Sequence, residues 1–508
     1  LIIFIVSISA NFYYGSIGVF PIDTFAFFDS ANLINQGFFP IRDYWTSNGF
    51  LVDYMQSIFF KFFGVTWKIY LLHSSLINFV FAMTTYKFLI NEGLTKETAL
   101  FYSISAGILA YPSAGVPFPD HHSLIFSIIG AYFFIFSIKN KSNLFLFFTV
   151  LFLIIAFLCK QVPAAFFMIL IGSYLIYISF KSKSNKLIFY ATIYAIVLIA
   201  IFVLFLVLKK IEIKNFLTQY IFFPLSIGSE RSNNLSTISI LKSLLNEFKF
   251  FSIFSLIILF QLIKKRNNNS QGIKNTISTK VFFLLLILVI IINQLLMKNQ
   301  IIIFFFLPVL LGIIHIETKT FHQKKYIIPI ILICNILITF KYHERFNENR
   351  KFIELENINT KNFIKGENIS KKLKGLKWVT SNYDGKLSTE VKLLQESITF
   401  LKNNKENSII ITYYQFINSE LNHNIYPPNR WYTSDGVSYP LKNNKFYESY
   451  KKFFEKKLIE KEIIKIFTIK PLDKDVFIFS LKSNCVQTSK INDILSEHNI
   501  TNCFAKNN

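Results

Sequence analysis

Carboxylates are scarce in this chain. Its 508 residues hold 30 Asp and Glu against 54 Lys and Arg, a formal net charge of +24. Ionisable side chains of either sign are almost missing from the centres of its long apolar runs. That argues against a transporter or lipid flippase, which needs charged or broken helices at mid-membrane. His73 and Asn78 are modest exceptions, best read as packed and hydrogen-bonded. Strict polar–apolar alternation is missing too, which argues against a transmembrane β-barrel. No internal repeat is visible. The opening LIIFIVSISANFYY has neither a basic stretch nor a small-residue cleavage site, so it reads as a truncated first transmembrane helix rather than a signal peptide. There are four cysteines. Cys159 and Cys334 fall in apolar segments and act as small hydrophobes. Cys485 and Cys503 lie in a polar tail, where they pair if the tail is extracytoplasmic or else remain two free thiols.

What is abundant is apolar surface: 52% of the residues are hydrophobic and 17% aromatic. Runs such as Leu187–Leu208 and Phe282–Met297 match the hydrocarbon thickness of a bilayer. The chain therefore reads as a polytopic α-helical membrane protein with about 11 transmembrane helices. Their approximate bounds are 1–13, 68–90, 98–114, 122–138, 144–159, 162–180, 187–208, 248–264, 280–297, 299–316 and 326–341. The short loops Lys139–Asn143, Lys181–Lys186, Lys264–Lys280 and Glu317–Lys325 are all basic, and counting spans puts all four on one side. The positive-inside rule makes that side cytoplasmic. Topology thus explains much of the basic surplus, and no nucleic-acid partner is needed. Basic residues of the tail suit anionic membrane lipid.

The same count puts the first loop (14–67), the Asp120 turn, the Lys160 turn, the loop Lys209–Glu247 and the tail outside. In the first loop, AFFDSANLINQGFF has helical spacing and stops at Gly37, and Gly49–Gly64 is a second amphipathic helix. Both suit the plane of the membrane interface. Residues 1–341 form the transmembrane domain. Residues 342–508 form an extracytoplasmic soluble domain, in which Lys377–Ser381, Ser408–Tyr414, Ile463–Ile469 and Val476–Leu481 read as strands. Helical patterns at Ser388–Asn404 and Asn443–Lys461 make it α/β.

Polar chemistry collects on the outer side. The first loop carries Asp23, Asp29, Asp43 and Asp53; FPDHHS (Phe118–Ser123) carries Asp120, His121 and His122; CKQVP (Cys159–Pro163) carries Lys160 and Gln161. Each has a plain structural reading as well. Asp120 fits a helix N-cap, Lys160 a snorkelling anchor, and Asp53 a solvated acid.

In this order the features resemble the GT-C glycosyltransferases, especially the aminoarabinose transferase and protein O-mannosyltransferase branch. The resemblance covers about residues 1–340. It rests on Asp23 after the first span, then Gly37, FPIRDYW and FFKFFG, Asp120 opening the fourth span, and Lys160-Gln161 closing the fifth. Two departures stand out. The family's Asp-Glu is Asp23-Thr24 here, and its second acid of the first loop is replaced by TSNG (Thr46–Gly49), with Asp29 and Asp43 as reserves.

The resemblance implies a GT-C-like fold in a bacterial inner membrane. It also implies a polyprenyl-phosphate sugar donor and a lipid, glycan or protein acceptor. A hydroxyl acceptor needs a general base, for which Asp23 is the choice, with Asp120 as second catalytic residue. The leaving phosphate needs charge stabilisation, for which Lys160 is placed, with Arg42 second; His121 and Gln161 would support them. Asp120 with His121 or His122 is a candidate site for a divalent cation, although adjacent histidines on a helix diverge by about 100°. The loop Lys209–Glu247 is long enough to act as a lid. The rival enzymatic reading is a lipid-linked polysaccharide polymerase or ligase, whose long arginine-containing outer loop is represented here by Arg231 alone. The other rivals are the transporter and a scaffold whose tail binds a partner.

Overall fold

Lys186–Leu208 shows how the apolar runs behave. Its 23 residues form one helix in which only Leu206 is buried by protein. A backbone without water must satisfy its own hydrogen bonds, and a helix does so within one segment. The computed structural model of the chain describes residues 1–111, 115–233, 236–266, 271–297, 302–319, 323–381, 383, 385–421, 425–433, 436–472 and 485–503.

Over their described residues, all the apolar stretches fold as helices: α1 (Ile2–Gly15), then, after the first loop, Trp67–Asn91, Lys96–Leu109, Pro119–Asn140, Asn143–Cys159, Gln161–Ser182, Lys186–Leu208, Lys249–Arg266, Gln271–Leu296, Leu307–Thr318 and Lys324–His343. Among the described residues, five helices are long and apolar enough to cross a membrane, and a sixth arises if the bent pair Thr237–Asn246 and Lys249–Ile263 is one span. Others, such as Asn143–Cys159, are apolar but shorter. The architecture is that of a helical membrane protein with a small sheet region towards the C-terminus.

Pro119–Asn140 is the central helix. Its residues Pro119 to Tyr132 are all buried. Its first turn carries Asp120, but the N-cap is Phe118 and makes no side-chain cap bond, so Asp120 is not the helix cap. The turn at Lys160 is set by that residue's extended backbone (φ −159°, ψ 139°) between two helices.

The first loop contributes strand β1 (Ile17–Val19), the short helix Pro21–Thr24, and helices α2 (Ala26–Asn35) and α3 (Phe50–Phe63). Gly37 (φ +91°) and Gly64 (φ +88°) follow the two longer helices in conformations that favour glycine. The interfacial reading of α2 is corrected: every residue from Ala26 to Leu33 is buried by protein. Phe25, Phe28 and Ala31 are part of the main core.

The tail folds as two sheets. Strands β2 (Ile364–Lys365) and β3 (Lys377–Thr380) join β1 in the order β1-β3-β2. The second sheet has β4 (Ser408–Thr412), β5 (Ile425–Tyr426), β6 (Lys465–Ile469), β7 (Gln487–Lys490) and β8 (Leu495–Asn499). Its order is β5-β4-β6-β8-β7, with β4 parallel to β5 and β6, and β6, β8 and β7 antiparallel. Helices Leu387–Asn403 and Tyr447–Glu460 accompany the strands. The expected strand Val476–Leu481 lies outside the described residues. Cys485 and Cys503 are joined as a disulfide.

The tail is not detached from the first loop. β1 pairs in parallel with β3, Trp45 bridges to Asn429, and one apolar core runs from Val19 to Leu495. The main core thus crosses 341/342, while a second cluster, with Ile409, Tyr426 and Tyr450, is built mostly from the tail. The main staple is Arg430, whose guanidinium binds Asp53 and the carbonyl of Asn48 and lies 4.9 Å over the Phe27 ring. Both charged side chains are 0% exposed. The reading of Asp53 as a solvated acid is thereby corrected.

Arg430→Ala leaves the Asp53 carboxylate buried without its cation, and should lower unfolding free energy by about 3–5 kcal/mol, measured by denaturation in mild detergent. Replacing both partners by leucine should cost less than the single change, because no charge is orphaned.

Candidate functional site

Two turns that are far apart in sequence meet at the start of the central helix. Lys160 Nζ donates to Asp120 Oδ1 at 2.5 Å. Asp120 is 3% exposed and the Lys160 side chain 19%. The carboxylate is thus held inside, while the lysine side chain stays partly exposed. Ser123 Oγ donates to the Lys160 carbonyl at 2.9 Å, fixing the turn to the same helix. The Gly49 amide donates to the Cys159 carbonyl at 2.8 Å. Gly49 has φ +68°, and a Cβ there would strike Phe27, Arg430 and Pro119. First loop, tail and central helix therefore converge at one backbone position.

Gln161 braces the site. Its Nε2 donates to the carbonyls of Ser47 (2.8 Å) and Tyr220 (2.5 Å). Gln219 accepts from the Thr46 amide at 3.0 Å and donates to the Ile41 carbonyl at 3.1 Å. Tyr220 Oη donates to the Leu158 carbonyl at 2.6 Å. The part of the expected lid at Gln219–Tyr220 is thus tied down on both the first loop and the Lys160 turn.

The remaining expected site residues are distributed differently. Asp23 is half-buried on Pro21–Thr24, beside Thr24, whose carbonyl accepts from Tyr70 Oη at 2.8 Å. Arg42 spends Nε on Asp43 (2.9 Å), Nη1 on the Lys209 carbonyl (3.1 Å) and Nη2 on the Gly37 carbonyl (2.7 Å). A phosphate would have to displace these partners. Asp43 also accepts from the Phe39 amide at 2.8 Å and lies 4.0 Å from Lys457. It is a buried brace of the loop. Asp29 is buried and accepts from Asn418 Nδ2 at 2.8 Å.

His121 and His122 diverge. His121 Nε2 faces the Ala110 carbonyl at 2.5 Å. His122 Nδ1 faces the Phe118 carbonyl at 3.0 Å, and its Nε2 faces His73 Nε2 at 3.3 Å. A carbonyl only accepts, so His122 Nδ1 carries the proton and neutral His122 accepts at Nε2. His73 must then donate from Nε2 and accept at Nδ1, 2.9 Å from the Gln56 amide. Turning that amide over aims its nitrogen, otherwise buried without a partner, at His73 Nδ1. The result is a directed chain Gln56→His73→His122→Phe118 that ties α3 and Trp67–Asn91 to the turn bearing Asp120. The packed reading of His73 agrees with these contacts. Among the described residues, no group of three or more His, Cys, Asp or Glu side chains is arranged to hold a metal ion. Asp120 and His121 do not gain a third ligand of that kind.

The far ends of these helices carry their own charges. Lys139 pairs with Glu92 at 2.6 Å, and Lys280 with Glu317 at 2.9 Å. The four line a cavity of about 30 Å³. No family model matches the chain, and no curated protein matches it.

The residues that sequence reasoning passed over are Arg430, Asn48, Gly49 and the Gln219–Tyr220 pair. One signal was available for Arg430. The chain has only six arginines among its 54 basic residues, and a guanidinium is the cation suited to buried, multidentate pairing.

Burial pushes the Asp29 carboxyl up from 3.8 to about 7, while the Asn418 hydrogen bond and the Lys372 ammonium pull the other way. A raised carboxyl favours the protonated fold, so its contribution is full below about pH 4 and lost as pH rises to about 7. Stability should fall by about 2 kcal/mol between pH 5 and 7 from this group. Asp29→Asn should flatten that slope in unfolding measured across pH.

Proposed function

We propose that the chain is a GT-C-like membrane glycosyltransferase that moves a sugar from a polyprenyl-phosphate donor to an acceptor at the extracytoplasmic face of a bacterial inner membrane. The observation that carries the reading is the Lys160–Asp120 pair, a partly exposed lysine held by a buried carboxylate at the start of the central helix. In this reading the chain has about eleven spans within 1–341, and the sheets of 342–508 lie outside the membrane. The basic short loops support that orientation. So does the Cys485–Cys503 disulfide, since such bonds persist in oxidising compartments.

The chemistry follows from charge. The acceptor oxygen attacks the anomeric carbon as the bond from that carbon to the phosphate oxygen breaks. The acceptor proton goes to Asp23, and the electron pair leaves with the lipid phosphate. Lys160 meets the charge that develops on that phosphate. Asp120 keeps the ammonium aimed. The prenyl chain stays in the bilayer, which suits apolar helices flanking a polar mouth.

The test is sugar transfer from a polyprenyl-phosphate donor by the protein in membranes. Asp23→Asn should cost about 10²–10⁴-fold, the range of a general base, and Lys160→Ala about 10²–10³-fold, the range of one charge-stabilising donor. Full activity of Asp23→Asn at normal expression removes the base. Unchanged transfer in both variants, or none from the parent with any such donor, removes the whole reading. For the orientation, a thiol reagent on the denatured protein should label only Cys159 and Cys334 before reduction and all four cysteines after it. Four labelled thiols without reduction would contradict it.

A further inference from the structure

The loop Lys209–Glu247 ends in a helix with one face that the protein leaves uncovered. Thr237–Asn246 has no buried residue. It is well formed nonetheless: Ser236 and Ser239 cap its start reciprocally, each side chain accepting from the other's amide at 3.1 and 3.2 Å. That capping box stabilises the first turn without tertiary contacts.

Its sequence, TISILKSLLN, splits by side. Successive residues turn by about 100°. Ile238, Leu241 and Leu245 fall together on one face, and Ser239, Lys242, Ser243 and Asn246 on another. Ile240 and Leu244 lie between the apolar face and the protein and are half-buried. Ile238 is 70% exposed, Leu241 58% and Leu245 65%. Three large apolar side chains in a row on a free face are unfavourable in water.

The next helix bears on what covers them. Lys249–Ile263 is apolar and leaves Thr237–Asn246 at 85°. Its own Leu256, Phe260 and Ile263 are exposed in the same way. The corner is rigid. Phe248 is buried in the main core, its amide bonds to the Ser243 carbonyl at 2.9 Å, and Ser252 Oγ donates to the Leu244 carbonyl at 3.0 Å. If one arm of a right-angled elbow crosses a bilayer, the other lies along its surface. Lys242 and Lys249, one on each arm, are exposed, as headgroup-facing cations would be.

We infer that Thr237–Asn246 is a membrane-surface helix, seated in the lipid boundary of one leaflet with Ile238, Leu241 and Leu245 pointing into the acyl chains. This rests on the helical membrane architecture and not on the proposed transferase activity. An amphipathic helix of this kind buries its apolar face about 5–10 Å into the boundary.

The experiment places a tryptophan on each face of the full-length protein in vesicles of phosphatidylcholine and phosphatidylglycerol. One acyl chain of the lipid is brominated near its headgroup end. Leu241→Trp and Ile238→Trp should lose most of their added emission, and Ser239→Trp little, each read against the parent protein. Blue-shifted emission from Leu241→Trp in the unbrominated vesicles is expected as well. Equal quenching in the Ser239→Trp and Leu241→Trp variants would overturn the proposal, as would no quenching in Ile238→Trp and Leu241→Trp. Shielded, blue-shifted but unquenched emission from Leu241→Trp would mean that a second protein copy covers this face, and would also overturn it.

Discussion

The ion pair between Arg430 and Asp53 is the constraint on which the packing of the first loop against the tail depends. Neither side chain touches solvent. Taking both charges out of water costs several kcal/mol per ion. Burial pushes the Asp53 carboxyl upward, opposed by the guanidinium. The arrangement is sustained only because the Asn48 carbonyl and the Phe27 ring complete the guanidinium's surroundings. Those partners come from α2, the turn before α3, and α3 itself. A single tail residue thus holds the two first-loop helices and the glycine between them in one geometry. Gly49 then sits between Phe27, Arg430 and Pro119, with the acid and base of the Asp120–Lys160 pair one residue beyond Pro119 and Cys159.

Other arginines repeat the device at neighbouring points. Arg350, nearly buried, donates to the carbonyl of Tyr14 at 2.7 Å and to that of Ile17, at the junction of α1 and β1. Arg42 closes the Gly37 turn and reaches the Lys209 carbonyl. Each satisfies backbone carbonyls where a chain turns, which a planar fork of donors does better than a lone ammonium. Lysine in this chain behaves differently and is mostly exposed or paired near surfaces. The tail therefore acts less as an appendage than as the outer wall of the first loop.

That division of labour explains what the sequence made legible. The helices were readable because each apolar run is a local signal, and the strands Lys377–Thr380, Ser408–Thr412 and Lys465–Ile469 because β-branched runs sit between polar turns. Asp120 and Lys160 could be put on one face from span counting alone. The burial of α2 was not readable. AFFDSANLIN has the same period whether its apolar stripe meets lipid or protein, and only residues such as Phe416 and Asn418, far along the chain, decide which. β1 is three residues long and exists because β3 offers it a parallel edge. Asp53 looked solvated because its cation is 377 residues away. Contacts of that range leave no periodicity behind.

The Asp120–Lys160 pair sets a buried carboxylate against a lysine whose side chain is 19% exposed. An ammonium has three donors and no acceptor, and Asp120 Oδ1 takes one of them. The lysine backbone is fixed separately, by Ser123 on its carbonyl and the Ala156 carbonyl on its amide. Asp120 thus leaves two of the ammonium's donors for other acceptors, on a side chain that is partly exposed. A buried carboxylate behind it offsets part of its charge, so a singly charged visitor gains little there. A phosphate that becomes more negative during a reaction gains more as its charge grows. In the proposed reaction such a site would bind the changing state better than the resting one, which is the electrostatic condition for accelerating departure of a phosphate.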